Sequence, residues 1–378
     1  MIRPTVATVN LDAIRANCRE IVNLVARESR QRGTPPGVIA VVKANAYGHG
    51  ATVVGPALEQ AGASMLACAD IEEGMALRTA GVTIPILVFG ALSVSELDGV
   101  FECGLTPTVS TPGAARALQA RAEARGVTIG CHLKIDTGMN RLGFRHDNLR
   151  RTMPGVLGSA HLRVDAVYTH FATADEPESP FLDEQQHRFD QAMAALGTLG
   201  LRQAKRHACN SAAFLRDTRT WLDWVRPGLL LYGIVPPPLA SEIPLRPALS
   251  LSSRIVAVKG VRRGEGTSYG LRWRADEPRT LAIVPAGYAD GLDTRLGNRG
   301  TVLVRGRRVP IVGAVCMDML MIDVTGLDVS PGDPVVLIGE QDGEQITARE
   351  MASAIGTIPW EIVCRLGARI ERRYESTG

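Results

Sequence analysis

Short runs of apolar residues alternate with helix-like patterns through roughly the first 235 residues of the chain. The runs that predict strands are residues 38–43, 64–69, 84–89, 105–109, 128–135 and 164–169, with weaker ones at 206–208 and 229–232. The patterns that predict helices are residues 11–30, 51–60, 71–80, 94–101, 112–125 and 180–199. This alternation is typical of a parallel sheet, and about eight such units predict a closed (β/α)8 barrel of the TIM type. An open, doubly wound sheet is the alternative that the pattern leaves.

The pattern changes after residues 235–244, which read VPPPLASEIP and have the composition of a linker. Beyond them, apolar runs separated by Gly, Pro and Asp predict strands at residues 250–261, 279–285, 300–304, 308–315, 320–324 and 334–338. Only residues 347–355 have a clear helical pattern there. We therefore expect a barrel over residues 11–243 and a mostly-β domain over residues 244–378. Residues 1–10 are expected to form a strand that packs with the β domain.

Composition narrows the class of protein. The 378 residues carry a formal net charge of only +3, which argues against a nucleic-acid partner. The seven cysteines are an odd number without a C-x-x-C pair, which argues against a disulfide framework or a zinc site. We find neither a secretory signal nor an apolar run long enough for a membrane helix, so the expected location is the cytoplasm.

Lys43 is the first candidate for chemistry, because it closes the apolar run of the first predicted barrel strand. Active sites of these barrels lie at the carboxyl ends of the strands. Partial burial there lowers the pKa of an ammonium group, and the neutral amine is a nucleophile towards an aldehyde. Tyr47 follows within a Tyr-Gly-His-Gly segment that brings a phenol and backbone donors near a ligand. The alternative is a lysine that reaches solvent from a strand end.

Other polar residues also follow predicted strands. Lys134 lies in an apolar run, and Arg141 follows in a glycine-bounded loop where a guanidinium could bind a carboxylate. A surface ion pair of Lys134 with Asp136 is the alternative reading. Small residues at 207–211 and 225–233 resemble a phosphate cradle, and His170 ends another strand. We expect no metal site, since the single Glu-x-x-His pattern at 184–187 lacks the second one that a di-iron site needs.

A series of motifs in matching order resembles the alanine racemase family from the first strand to the last few residues. The motifs are AVVKANAYGHG at 40–50, KIDTGMNRLG at 134–143, YTHF at 168–171, NS at 210–211, RPGL at 226–229, SYG at 268–270, GYADG at 287–291 and CMD at 316–318. The resemblance implies a fold of barrel plus β domain, pyridoxal 5′-phosphate as the cofactor, and interconversion of L- and D-alanine. It also implies a head-to-tail homodimer in which each site receives C-terminal residues from the partner subunit.

The same resemblance implies a role for each matching residue. Two acid/base groups are expected on opposite faces of the substrate: Lys43, which carries the cofactor as a Schiff base, and Tyr269. The residues expected to bind the rest of the cofactor are Tyr47, Ser211, Gly228 and Leu229 at the phosphate, Arg226 at the pyridine nitrogen, and His170 against the ring. The residues expected at the substrate carboxylate are Arg141 and the backbone N–H of Met317, with a carbamylated Lys134 orienting Arg141 and with Tyr288 and Asp318 in support.

One position departs from the family pattern. Trp360 stands in Pro-Trp-Glu where family members commonly have a tyrosine near the phosphate and the substrate methyl group. An indole N–H can donate a hydrogen bond but cannot accept one, and the ring is larger. A racemase of broad specificity is therefore one alternative to alanine racemase. A second is a pyridoxal-phosphate carrier without turnover. The expected physiological role is supply of D-alanine for peptidoglycan, or alanine catabolism.

Overall fold

The structure of the protein is a computed structural model, and its described residues are 4–29, 33–92 and 97–376. The chain forms two compact units. One consists of Ile14–Ala46 and Ala51–Arg246, and the other of Met1–Ala13, Tyr47–Gly50 and Pro247–Gly378. We call them the barrel unit and the β unit and describe each by itself.

Eight parallel strands close into a cylinder in the barrel unit. In sheet order they are Gly37–Val41, Met65–Cys68, Ile86–Val88, Thr106–Val109, Ile129–Asp136, Leu162–Tyr168, Lys205–His207 and Trp224–Val225. The last strand pairs with the first through Trp224↔Gly37 and Val225↔Val38, which closes the barrel. A further short strand, Phe144–Arg145, adds to Ile129–Asp136. The predicted barrel is confirmed, and the open sheet is excluded.

The last predicted barrel strand, residues 229–232, is wrong. Leu229–Tyr232 forms a 3-10 helix, and the strand lies earlier, at Trp224–Val225. Pro227 has no N–H to donate to a neighbouring strand, although its carbonyl accepts from Val41 N–H at 3.0 Å. The chain therefore turns after Pro227 and buries its leucines through a helix.

Most of the helices follow barrel strands, whereas Leu11–Glu28 precedes the first of them. Within the described residues the helices are Leu11–Glu28, Ala51–Gln60, Ile71–Thr79, Asp98–Glu102, Pro112–Ala124, Leu149–Thr152, Pro154–Leu157, Phe181–Thr198 and Ser211–Arg216. Asp70, Thr111 and Asn210 cap three of them, each accepting a backbone N–H three residues ahead. The predicted helix at 94–101 begins in residues outside the described ranges. The helices at Leu149–Thr152, Pro154–Leu157 and Ser211–Arg216 were not predicted.

The β unit is built on a ten-stranded sheet. Its strands are Val6–Asn10, Leu249–Arg254, Ala257–Val261, Arg279–Val284, Thr301–Val304, Arg307–Val312, Leu320–Asp323, Pro334–Gln341, Glu344–Ile346 and Glu371–Glu375, and a separate pair is Gly266–Thr267 with Trp273–Arg274. Val6–Asn10 lies between Leu249–Arg254, which runs antiparallel to it, and Glu371–Glu375, which runs parallel.

Two sequence expectations for this unit are corrected. The predicted single strand at 250–261 is two strands, because the chain breaks at Ile255 and Val256 and the two parts pair with different neighbours. Besides the expected helix, Ala348–Ile355, there is a second one at Pro359–Cys364. The second helix was missed because it has only six residues, too few for a helical period to show.

Candidate active site

Lys43 follows the first barrel strand and is half-buried. The sequence predicted that it ends the strand, but the strand ends at Val41 and Lys43 opens a turn. The residues after it, Ala44 to Tyr47, have φ between 51° and 55°, which is the left-handed helical region. L-residues occupy that region at a cost of about 1–2 kcal/mol each. Such strain is retained where other contacts fix the backbone, and it is common at functional sites.

Arg226 directly follows the last barrel strand and is almost fully buried. Its Nη1 donates to Nδ1 of His207 at 2.9 Å. Its Nη2 donates to the carbonyls of Thr169 at 2.9 Å and Ala208 at 2.8 Å. Burial lowers the pKa of this guanidinium to about 10, which leaves it charged at neutral pH. Because these bonds hold both terminal nitrogens, residues of the barrel fix the orientation of the guanidinium.

Lys134 belongs to the same end of the barrel, in Ile129–Asp136, and is only 6% exposed. Burial lowers its pKa to about 8, and the positive charges of Arg141, Arg226 and Lys43 act in the same direction. The pKa of His170 is lowered well below its usual value by burial and then by the same cations. The barrel therefore concentrates cationic side chains where its strands end, which is an arrangement suited to anions.

Lys134 does not form the surface ion pair with Asp136 that was the alternative prediction. Lys134 is buried, and Asp136 Oδ1 accepts from the backbone N–H groups of Gly138 at 2.9 Å and Asn140 at 3.1 Å. Asp136 thus shapes the loop that leads to Arg141. Arg141 itself is exposed.

Ser211 and Gly228 form a small cradle in the barrel unit. Ser211 begins the helix Ser211–Arg216, and its Oγ accepts from Gly228 N–H at 2.9 Å. Because the Ser211 oxygen accepts this bond, its own hydroxyl proton is available for donation to an anion. Leu229 follows as the first residue of the 3-10 helix, so its backbone N–H is one of the groups that such a helix leaves without an internal acceptor.

Six of the sequence-predicted residues lie in the β unit: Tyr47, Tyr269, Tyr288, Met317, Asp318 and Trp360. Tyr269 is 77% exposed and Met317 is 52% exposed. Tyr288 N–H donates to the carbonyl of Cys316 at 3.0 Å, and a Cβ on Gly287 would lie 2.3 Å from the carbonyl oxygen of Met317. The motifs at 287–291 and 316–318 therefore pack directly on each other, and glycine at 287 makes this approach possible.

The other three residues of this group are Tyr47, Asp318 and Trp360. The C-terminal segment contacts the first two or their neighbours and contains the third. Burial raises the pKa of Tyr47 above its usual range. Arg372 Nε donates to the carbonyl of Gly48 at 3.1 Å, next to Tyr47. Arg369 donates to Asp318 at 2.7 Å. Trp360 is half-buried near the start of the helix Pro359–Cys364.

The histidines behind Arg226 were not predicted from the sequence. His207 Nε2 and His132 Nδ1 are 3.0 Å apart inside the barrel, and the His207 ring stacks on Tyr168 with centroids 4.6 Å apart. Both residues lie in predicted strands, on either side of the strand Leu162–Tyr168 in the sheet. The available indication was a polar residue within a predicted barrel strand. Within the described ranges, no group of three or more His, Cys, Asp or Glu could hold a metal ion. No helix among the described residues is long and apolar enough to cross a membrane.

Both parts of the chain are similar to alanine racemases. Residues 9–236 match the model of the alanine racemase N-terminal domain, and residues 248–374 match that of the alanine racemase C-terminal domain. The alanine racemase of Symbiobacterium thermophilum is 41% identical over 374 residues, which cover 98% of this chain and 97% of that protein.

Two solved structures are similar in fold. The alanine racemase from D-cycloserine-producing Streptomyces lavendulae superposes with a TM-score of 0.94 at 34% identity and covers 100% of this chain and 98% of its own. The alanine racemase from Bartonella henselae with covalently bound pyridoxal phosphate has a TM-score of 0.86 at 29% identity, with coverage of 98% and 99%. The chain belongs to the alanine racemase family of amino acid racemases.

Proposed function

We propose that this protein interconverts L-alanine and D-alanine with pyridoxal 5′-phosphate bound covalently to Lys43. The observation that carries the proposal is the group of cations, Lys43, Lys134 and Arg226, at the carboxyl ends of the barrel strands, since the cofactor phosphate and the substrate carboxylate are both negatively charged. Family membership supports alanine as the substrate. The similar structure from Bartonella henselae supports a covalent link to the cofactor.

The residues present fit this cofactor. Lys43 supplies the amine, while Tyr47, the Ser211 hydroxyl and the backbone around Gly228 and Leu229 are donors for a phosphate group. His170 would pack against the ring. Arg226 would face the pyridine nitrogen, and because its pKa stays near 10 it holds its own proton at neutral pH. We propose that this limits charge delocalisation into the ring and so suppresses side reactions.

Proton transfer alone does not account for racemisation. One positioned acid/base group raises the rate by ~10²–10⁴-fold, which corresponds to about 3–5 kcal/mol of the activation barrier. Typical enzymes lower that barrier by ~8–23 kcal/mol in total. When bound, pyridoxal phosphate supplies an electron sink for the charge left when the Cα proton is removed. Lys43 would take or return the proton on one face of Cα, and Tyr269 would do so on the other.

We propose that Tyr269 reaches the substrate from the partner subunit of a head-to-tail homodimer. Its side chain is 77% exposed in the single chain, which is unusual for a residue that must act in a water-poor site. Arg141 and the backbone N–H of Met317 would bind the substrate carboxylate, and a carbamylated Lys134 would orient Arg141. Tyr288 and Asp318 would support these groups.

We place the boundary between the barrel and the mostly-β domain at residues 243 and 244, with residues 1–10 joining the β domain. We place the enzyme in the cytoplasm, where it would supply D-alanine for peptidoglycan or take part in alanine catabolism.

The direct test is replacement of Lys43. The purified protein should be yellow with pyridoxal phosphate, and borohydride should bleach it and label Lys43. Lys43→Ala should lose both the absorbance and the interconversion of the two enantiomers. A Lys43→Ala protein that still racemises alanine would refute the assignment.

Tyr269→Phe tests the two-face mechanism. Removal of one acid/base should slow proton abstraction from one enantiomer more than from the other, measured by exchange of the Cα hydrogen with solvent deuterium. Equal loss for both enantiomers would contradict it. Absence of deuterium at Cα with the unchanged protein would favour the carrier without turnover.

Trp360 favours one second candidate, an amino acid racemase of broad specificity. A panel of both enantiomers of alanine, serine, lysine and arginine distinguishes the two. Comparable kcat/KM for serine or a basic amino acid would establish broad specificity. If Trp360→Tyr leaves the ranking of substrates unchanged, this residue does not set the specificity.

A further inference from the structure

The left-handed turn after Lys43 needs contacts that hold it. Ala44, Asn45 and Ala46 have both φ and ψ near 50°, and the turn contains no glycine, the residue that adopts this conformation readily. Ala46 N–H donates to the carbonyl of Val42 at 2.8 Å, and Asn45 Oδ1 accepts from Ala51 N–H at 2.8 Å. These bonds are local, so they do not by themselves fix the turn against the barrel.

Glu73 supplies a contact from outside the turn. It lies in the helix Ile71–Thr79, in the next β/α unit. Its Oε1 accepts from Asn45 N–H at 3.1 Å, and its Oε2 accepts from Ala69 N–H at 2.8 Å. Ala69 directly follows the second barrel strand. One carboxylate therefore joins the ends of two neighbouring strands, with one bond made within the turn and the other to the sheet.

The bonds from a carboxylate to backbone N–H groups are stronger than those between neutral groups. The first two barrel strands are already joined at this level, since Val42 N–H donates to the carbonyl of Ala67 at 2.8 Å. Glu73 adds a bond beyond the last hydrogen bond between these two strands, at Asn45, two residues after Lys43. The backbone at Lys43 is thus held on both sides.

A simpler reading is that Glu73 stabilises the start of its own helix, where acidic residues are favoured. Glu72 shares that position in the first turn and is exposed. The two glutamates carry the same charge at nearly the same distance from the helix end. They differ in that Glu73 bonds to Asn45 and Ala69. A comparison of substitutions at Glu72 and Glu73 therefore distinguishes the two explanations.

We propose that Glu73 is a positioning residue for Lys43: its carboxylate holds the left-handed turn and so sets the direction of the Lys43 amine. The inference rests on the proposed role of Lys43 as cofactor-binding and acid/base group. Glu73 acts through the backbone and does not itself transfer a proton in the reaction.

The experiment compares Glu73→Ala and Glu73→Gln with the control Glu72→Ala in the full-length protein with pyridoxal phosphate. Small misplacements of a reacting group cost on the order of 10- to 100-fold in rate. We expect Glu73→Ala to lower kcat in that range with a smaller change in KM. Glu73→Gln should be intermediate, because its single oxygen can accept only one of the two N–H groups well. Glu72→Ala should behave as the unchanged protein.

Two measurements do not depend on turnover. One is the rate of hydrogen–deuterium exchange at the Asn45 amide, measured by mass spectrometry of overlapping peptides. This exchange should become faster in Glu73→Ala and stay unchanged in Glu72→Ala. The other is the rate at which pyridoxal phosphate is captured at Lys43 by borohydride, which should fall in Glu73→Ala. Equal exchange, or equal capture, in Glu73→Ala and Glu72→Ala would overturn the inference. If Glu73→Ala does not fold, Glu73→Gln carries the same comparison.

Failure of this inference can be told apart from failure of the proposed function. If the unchanged protein captures no pyridoxal phosphate at Lys43, the proposed function is wrong. Exchange of the Asn45 amide then still decides whether Glu73 holds the turn. If capture occurs at the same rate in all variants, the function stands and Glu73 has no positioning role.

Discussion

The guanidinium of Arg226 donates a hydrogen bond to Nδ1 of His207 across 2.9 Å inside the barrel. Because a guanidinium can only donate, Nδ1 of His207 must be the acceptor and the ring proton must lie on Nε2. Nε2 then donates to Nδ1 of His132 at 3.0 Å. Donation from Arg226 thus fixes the tautomers of two histidines in sequence, and each neutral ring accepts a hydrogen bond at Nδ1.

Replacement of His207 by Phe should loosen Arg226. The ring volume and the stacking on Tyr168 would be kept, but a buried N–H of Arg226 would lose its acceptor and Nδ1 of His132 would lose its donor. We expect the free energy of unfolding to fall by about 1–3 kcal/mol, the usual cost of an unsatisfied buried polar group. Urea unfolding measures this, and His187→Phe on the helix Phe181–Thr198 is the control for the substitution itself. Equal losses in the two variants would show that the bond to Arg226 contributes nothing.

The stability of the protein should depend on pH through His132. Burial, and then the charges of Arg226 and Lys205, lower the pKa of His132 to about 4. A histidine in the unfolded chain has a pKa of ~6.5, so between these values the unfolded chain binds a proton that the folded chain does not. Stability therefore falls as pH decreases from 6.5 towards 4, by about 1.4 kcal/mol per pH unit from this residue, and the contribution is constant above 6.5.

The measurement is the free energy of urea unfolding between pH 5 and 8 for the unchanged protein and for His132→Phe. The variant should be less stable at pH 7, because His207 loses an acceptor, but its curve should be flatter below pH 6.5. Parallel curves for the two proteins would mean that His132 binds its proton equally in both states.

The barrel could be predicted from the sequence because most of its strands are apolar runs that alternate with helical patterns. Lys43 could be identified because it follows such a run. The turn after Lys43 could not, because left-handed backbone is usually indicated by glycine and here it is adopted by Ala, Asn, Ala and Tyr. The last strand, Trp224–Val225, is too short to show a pattern, and its pairing with Gly37–Val41 depends on closure of the whole sheet.

Lys134 should react reversibly with carbon dioxide. A lysine with a pKa of about 8 is largely neutral above that pH, and the neutral amine adds to carbon dioxide to give a carbamate and a proton. The product is an anion, which would offset the surrounding positive charges of Arg141 and Arg226. With ¹³C-labelled bicarbonate, a carbamate resonance should grow as pH rises through about 8. It should be absent in Lys134→Ala and present in Lys205→Ala. A resonance that persists in Lys134→Ala would place the modification elsewhere.

Gly48 should be intolerant of a side chain for a reason separate from its backbone conformation. Its φ is +82°, and a Cβ there would lie 2.1 Å from the carbonyl oxygen of Val363. Gly81 has a similar φ of +89° but has no atom within 4 Å of an added Cβ, so Gly81→Ala measures the backbone cost alone. That cost is about 1–2 kcal/mol.

The clash at Gly48 involves backbone atoms, which cannot turn away as a side chain would. We therefore expect Gly48→Ala to lower the free energy of unfolding by roughly 1–3 kcal/mol more than Gly81→Ala, as in other overpacked sites. Because Gly48 is next to Tyr47, Gly48→Ala should also weaken binding of pyridoxal phosphate, measured by titration of absorbance, while Gly81→Ala should not. Equal effects of the two variants on unfolding and on cofactor binding would show that the contact with Val363 relaxes without cost and does not help to place Tyr47.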